Sequence, residues 1–234
     1  MEAVILAGGQ GTRLAPYTTE LPKALVPVCG KPVVEVLLHR LKLAGVTKAY
    51  LAVGHRADQL RTALGDGRRL GLELSYSEEP MPLSTVGPIT LLPSLPEYFF
   101  VANADILTDL DFAMLYDHHR RSDCELTVAT YQRTEKIDYG VIEADHNGRV
   151  TKFSEKPDYH FSVSTGIYVF SKAVLEFVPH GQPFGFDDLM RTMLEKHQPV
   201  NTVQHHGFWL DIGRIDDYER ANSGDAESVR RLCE

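Results

Sequence analysis

No hydrophobic run in this chain approaches the length of a membrane-spanning helix, so a membrane partner is not expected. The opening MEAVILAGG has no basic stretch before its apolar residues and no small-residue cleavage site after them, so it does not read as an export signal. Cysteine is scarce. Cys29, Cys124 and Cys233 are scattered, with no C-x-x-C pair, a pattern that fits a reducing cytoplasm and suggests neither a disulfide framework nor a zinc cluster. Basic residues are outnumbered as well: 24 Lys and Arg against 32 Asp and Glu leave a net charge of −8, which argues against a nucleic acid partner. A local basic cluster can still hold a small anion against that background. Internal repeats and low-complexity tracts are absent. What remains, at 234 residues with 43% hydrophobic composition, is a soluble cytoplasmic protein long enough to bury one sizeable core.

Through the first half, apolar runs alternate with amphipathic stretches. Residues 4–7 read as a buried strand closed by Gly8, Gly9 and Gly11, and residues 33–44 as a helix stopped by Gly45. Strands are expected at 48–53 and 72–76, with a short helix at 57–64 between them. Residues 98–102, apolar throughout, suit a central strand covered on both faces, and 111–121 a helix begun by Asp111. The second half turns strand-rich, with candidates at 126–131, 140–144, 150–155 and 166–170, and a hairpin signal at Asn147-Gly148. A helix at 187–196 and strands at 200–203 and 208–212 follow. This pattern predicts an α/β, Rossmann-like, doubly wound, mostly parallel sheet with a β-rich second half. One domain over residues 1–224 and a charged tail, helical or frayed, over 225–234 are expected.

The most informative stretch is Leu6-Ala7-Gly8-Gly9-Gln10-Gly11-Thr12-Arg13-Leu14, which leaves the first strand. Glycines there let a backbone approach a ligand closely and aim N–H groups at phosphate oxygens. The spacing is neither a Walker A loop nor a G-x-G-x-x-G fingerprint. Three glycines alone are more often a tight turn. Arg13 and Lys23 in the same proline-interrupted connection (Pro16, Pro22, Pro27) shift the balance towards a phosphate site. A guanidinium grips a diphosphate through two N–H groups, while an ammonium offers a compact charge to one phosphoryl group.

From Gly8 to Pro32 the chain carries G-G-x-G-T-R-L-x-P-x-T, then P-K-x-L-x-P-V, then G-K-P. This resembles the signature of the sugar-1-phosphate nucleotidyltransferases. Further segments extend the resemblance: Asn103-Ala104-Asp105, Asp138-Tyr139-Gly140-Val141, Phe153-Ser154-Glu155-Lys156-Pro157, Ser164-Thr165-Gly166-Ile167-Tyr168 and Trp209-Leu210-Asp211-Ile212-Gly213. The resemblance implies a glycosyltransferase-A-like fold and the reaction of a nucleoside triphosphate with a sugar 1-phosphate to give a nucleotide sugar and pyrophosphate. It implies nucleotide contacts from Leu6, Ala7, Gly8, Gly9, Gly11, Thr12, Arg13 and Lys23, and Mg²⁺ held by Asp105 and Asp211. Arg13 would stabilise the departing pyrophosphate and Lys23 the α-phosphoryl group. Asn103, Gly140, Glu155, Lys156 and Thr165 would face the sugar phosphate, with a hydroxyl contact from Thr165.

Two departures from the family pattern stand out. Ser84 occupies a position that is commonly glycine in the base loop Pro82-Leu83-Ser84-Thr85-Val86-Gly87, and the 234 residues contain no hexapeptide repeats, so a left-handed β-helix domain is not expected. The spacing around Glu79 is similar to that of mannose- and manno-heptose-1-phosphate guanylyltransferases. A carboxylate can accept from both guanine donors, whereas thymine and uracil offer one. GTP is therefore the expected nucleotide, with a thymidylyl- or uridylyltransferase acting on glucose 1-phosphate as the alternative. A non-catalytic sensor of nucleotide sugars and a glycosyltransferase of similar topology are the rival classes, and a homodimer is compatible with the sequence. His118-His119 and His205-His206 cannot form a shared metal site from within one element, and surface positions are expected for them. Nothing in the sequence marks Cys29 as a nucleophile.

Overall fold

A computed structural model describes residues 1–224 and 226–233; Asp225 and Glu234 of the expected tail lie outside the described residues. The chain begins with β1 (Glu2–Ala7), a small ladder of β2 (Pro27–Val28) and β3 (Lys31–Pro32), and α1 (Val33–Leu43). There follow β4 (Lys48–Val53), α2 (Ala57–Leu64), β5 (Glu73–Glu78), β6 (Tyr98–Asn103), β7 (Ile106–Thr108) and α3 (Phe112–Arg121). The second half holds β8 (Leu126–Lys136), β9 (Val141–Ala144), β10 (Val150–Ser154) and the long β11 (Asp158–Ser171). It closes with α4 (Phe186–Glu195), β12 (Val200–His205), β13 (Trp209–Asp211), α5 (Ile215–Glu219) and α6 (Ala226–Cys233). Among the described residues no helix is long and apolar enough to cross a membrane.

Seven strands form the central sheet in the order β12-β8-β11-β6-β1-β4-β5. β1, β4, β5 and β6 pair in parallel, and β11 alone runs against its neighbours β6 and β8. The sheet is thus mixed and mostly parallel, as the alternation of strands and helices predicts. Strand periodicity sends side chains to two cores. Ala3, Ile5, Phe100 and Ala102 pack with Leu37 and Leu41 of α1, Leu60 of α2 and Leu115 of α3 on one face. Val4, Phe99 and Val101 meet Leu189 and Met193 of α4 on the other.

Asp111 caps α3 by accepting the Met114 N–H at 2.8 Å, the start that the sequence suggests. The Asn147-Gly148 signal is also realised: β9 and β10 form a hairpin, with Gly148 in the left-handed region at φ 79°. β8 and β11 are longer than their periodicity indicates, because beyond Tyr131 and before Val163 they pair while exposed to solvent. Of the two forms open to the charged tail, the helical one is found: α6 buries Val229 and Leu232 in a third cluster with Leu14, Val26, Val28, Leu210 and Ile212. One expectation is corrected. His119 is not a surface residue but 1% exposed, its ring nitrogens meeting Thr127 Oγ1 at 2.8 Å and Ser171 Oγ at 3.2 Å.

Candidate active site

A cavity of about 660 Å³ opens where β1, β4 and β6 end at their carboxyl edges, the position at which open α/β sheets take ligands. Leu6, Ala7, Gly8, Gly9, Gly11, Thr12, Arg13 and Lys23 line it from the first connection, Glu79 and Ser84 from the loop after β5, and Asn103 and Asp105 from the end of β6. The sequence reading missed His55 and Gly54 on the same wall. Their signal was available, since they follow the second parallel strand, β4, in the same way that Gly8 follows the first.

The glycine-rich connection is shaped by its own hydrogen bonds. Gly11 sits in the left-handed region at φ 66°, and its carbonyl accepts both the Leu14 N–H at 2.9 Å and the Thr18 hydroxyl at 2.8 Å. Single 3₁₀ turns at Thr12–Leu14 and Lys23–Leu25 follow, each anchored by a buried leucine. Arg13 is left exposed beside the cavity while Leu14 points into the third core cluster. Arg56 reaches across to donate to the Thr19 carbonyl at 2.5 Å and ties the loop after β4 to this connection.

Asp105 and Asp211 are brought together by the antiparallel ladder of β7 and β13. Asp211 pairs with Ile106, and the Ile212 N–H donates to the Asp105 carbonyl at 3.0 Å. Lys23 Nζ contacts the Asp105 carboxylate and lies 3.8 Å from Asp211. One oxygen of each carboxylate, Asp105 Oδ1 and Asp211 Oδ1, is buried without a hydrogen-bond partner. Burial and the adjacent Asp105 push the Asp211 carboxyl up to about 6, against the opposing pull of Lys23 and Arg13. Two convergent, underprovided carboxylates fit a divalent cation that completes its shell with phosphate oxygens and water. Among the described residues no group of three or more His, Cys, Asp or Glu side chains forms a fuller cage.

The carboxylate of Glu79 is held rather than free. Its Oε2 accepts the Leu83 N–H at 2.7 Å, and its Oε1 lies over Gly8 and Gly54, where a β-carbon at either glycine would collide with it. Gly8 therefore makes room for an acid as well as for a ligand. Burial raises the Glu79 pKa, and the Leu83 N–H opposes the rise. Ser84 has φ 66°, so the loop keeps the left-handed backbone that glycine would adopt there. Val86 and Gly87 donate to the Phe184 carbonyl at 2.9 and 3.0 Å, which pins this loop to the segment entering α4.

The residues expected at the sugar phosphate divide. Asn103 lines the cavity and packs over Gly166, whose φ of 77° and lack of a β-carbon permit the contact. Gly140 and Glu155 come together, a β-carbon at Gly140 lying 3.2 Å from Glu155 Oε2, but they and Lys156 sit on the exposed hairpin outside the cavity lining. Thr165 differs from its expected contact. It is 1% exposed, its hydroxyl donates to the Ala129 carbonyl at 2.8 Å, and its carbonyl accepts from Trp209 Nε1 at 3.0 Å. Asp109-Leu110-Asp111 does carry a D-x-D spacing, but both acids are engaged elsewhere: Asp111 caps α3, and Asp109 accepts the Phe208 N–H at 2.7 Å beside His205.

Comparison with known proteins gives a consistent picture. A family model described as nucleotidyl transferase matches residues 2–228. A mannose-1-phosphate guanylyltransferase catalytic subunit beta from Drosophila pseudoobscura pseudoobscura is 37% identical over 226 residues, covering 92% of this chain and 60% of that protein. A UTP–glucose-1-phosphate uridylyltransferase from Synechocystis is 32% identical over 244 residues, covering 96% of this chain and 63% of that protein. The chain thus spans less than two thirds of the length of these relatives. Among solved structures, HddC from Yersinia pseudotuberculosis superposes with a TM-score of 0.72 at 26% identity, covering 94% of this chain and 97% of that one. The same protein has also been solved in complex with GMP-PN.

Proposed function

The chain belongs to the nucleotidyl transferase family, and on that premise we propose that it transfers a nucleoside monophosphate from a nucleoside triphosphate to a sugar 1-phosphate, releasing pyrophosphate. The observation that carries this reading is the meeting of Lys23, Asp105 and Asp211 beside the glycine-rich connection. A regulatory sensor needs to hold its ligand but has no use for a cation site next to a phosphate-facing lysine. In the proposed reaction a phosphate oxygen of the sugar phosphate attacks the α-phosphorus in line, so positioning and charge neutralisation supply the rate.

The loop from Gly8 to Thr12 receives the triphosphate with its N–H groups, and Arg13 steadies the leaving diphosphate through its planar two-point grip. Lys23 transfers its contact from Asp105 to the α-phosphoryl oxygen as that oxygen gains charge. A Mg²⁺ ion held by Asp105 and Asp211 would neutralise the reacting phosphates. Asn103 orients the sugar phosphate from the floor, while Glu155 and Lys156 reach it from the hairpin side.

GTP with a manno-configured sugar 1-phosphate is the pairing best supported, by the guanylyltransferase relative and by the acid at Glu79. UTP with glucose 1-phosphate is the second reading, favoured by the uridylyltransferase relative. A pyrophosphate-release assay crossing GTP, UTP and dTTP with mannose, manno-heptose and glucose 1-phosphates tests both. The highest kcat/KM is expected with GTP and a manno-configured acceptor. Absence of pyrophosphate release from every pair, with nucleotide sugar binding intact, would establish the sensor instead.

A further inference from the structure

The three cysteines are scattered in sequence but not in space. Cys29 lies in the turn from Val28 to Lys31 that joins β2 to β3, exposed, with φ 49°. Cys233 lies in the last turn of α6, half-buried against the third core cluster. The residues beside them bring the two elements together: Val28 and Leu232 are buried in one cluster, and Lys31 Nζ donates to the Cys233 carbonyl. The Cys29 thiol is near enough to the Cys233 thiol to act on it directly. Cys124, the third, is buried at the start of β8 beside Asp123 and has no cysteine neighbour.

We propose that Cys29 and Cys233 are an oxidation site, closed to an intrachain disulfide by a peroxide or by a low-molecular-weight disulfide. The exposed Cys29 is the attacking thiol. Cys233 is the resolving one, since burial first, and Cys29 beside it, push its thiol up to about 11 and keep it protonated at neutral pH. With a peroxide, the Cys29 thiolate takes the distal oxygen as the O–O bond breaks, giving a sulfenic acid and hydroxide. Cys233 sulfur then displaces the sulfenic oxygen, which leaves as water with the Cys233 proton, and both sulfurs end oxidised by one electron each. With a disulfide oxidant, Cys29 attacks one sulfur and releases a thiolate, and Cys233 then displaces the second. Lys31, whose ammonium meets the Cys233 carbonyl, favours the thiolate at Cys233 when it forms.

The linkage fastens α6 to the cluster beneath the cavity. Leu14, next in sequence to Arg13, and Leu210 and Ile212, which flank Asp211, belong to that cluster, so the helix packs on the residues adjoining these polar groups. Oxidation therefore reads as a lock on that packing.

The test is peptide mapping of the full chain under non-reducing conditions after diamide or hydrogen peroxide. The expected product is one intrachain Cys29–Cys233 disulfide, a loss of two hydrogens reversed by dithiothreitol, with Cys124 alkylated only after unfolding. Cys233→Ser should leave Cys29 as a dimedone-reactive sulfenic acid, and hydrogen exchange across residues 226–233 should slow in the oxidised wild type. Recovery of Cys29 only as interchain disulfide or sulfonic acid, with Cys233 still alkylatable, would overturn the proposal. So would oxidation of Cys233 in Cys29→Ser at the wild-type rate.

Discussion

Lys23 places its ammonium against the Asp105 carboxylate, at the position from which it also faces Asp211. One positive charge thus serves two negative ones, and the partnerless oxygens left on both acids mark where further positive charge is wanted. A lysine and a divalent ion repel when both crowd the same carboxylates, so a cation bound by this pair would have to compete with Lys23. Lys23→Met is expected to tighten Mn²⁺ binding by about tenfold in nucleotide-free protein, the effect of removing one nearby unit charge. Electron paramagnetic resonance titration measures it directly. Arg13→Met, which removes a cation from the same cavity without touching either carboxylate, should shift the affinity much less. Equal shifts in the two variants would mean that Lys23 acts only through the general field.

If the proposed cation site holds, Asp105→Asn and Asp211→Asn should each lower turnover by about 10²–10³-fold or more while leaving the fold intact, because each removes charge from the carboxylate pair proposed to hold the cation. Thermal melts alongside steady-state kinetics separate the two effects. Near wild-type rates at saturating Mg²⁺ would show that neither acid holds the ion.

Glu79 has one oxygen committed to the Leu83 N–H, which leaves it a single acceptor for a base instead of a matched pair. Glu79→Gln is accordingly expected to reduce the preference for GTP over dTTP by about tenfold, the value of one charge-assisted hydrogen bond. An unchanged ratio of kcat/KM values would confine Glu79 to holding the loop at Leu83.

Thr165→Val tests whether the hydroxyl is structural. With the Ala129 carbonyl left without its donor inside the sheet, stability should fall by about 1–3 kcal/mol in urea unfolding. KM for the sugar 1-phosphate should stay at the wild-type value in the folded enzyme. A rise in KM without loss of stability would restore the hydroxyl to the sugar site.

His119 carries a pH dependence of definite sign. Burial lowers its pKa to about 4, with both ring nitrogens meeting hydroxyls, so the folded state prefers neutral imidazole. The stabilisation is fully present above the unfolded value near 6.5 and drains as pH falls from there towards about 4. The loss by pH 4 is about 3 kcal/mol. His119→Gln, whatever its own stability, should flatten that part of the curve in unfolding titrations between pH 7 and 4. An unaltered slope would assign the acid sensitivity to other groups.

The local elements of this protein were legible in its sequence because they rest on short-range chemistry. Residues 48–53 and 57–64 form the strand and helix that their periodicity indicates, Asp111 caps α3, and Asn147-Gly148 turns the hairpin. The run from Gly8 to Lys23 announced a shaped connection at the mouth of a cavity for the same reason: glycine, proline, arginine and lysine impose their backbone and charge properties wherever they stand. Other features depended on contacts between residues far apart in the chain. Asp105 and Asp211 meet only because β7 and β13 pair, and nothing in either segment states that ladder. The interruption of the β11–β8 register between Ser164 and Tyr168 put the Thr165 hydroxyl on the Ala129 carbonyl, and the packing of α3 on that sheet buried His119 rather than its neighbour His118. Cys29 and Cys233 became neighbours through the docking of α6. Periodicity says which face of an element is apolar, but the surface it is buried against is settled by packing the whole chain, and that packing decided which polar groups were left facing the cavity.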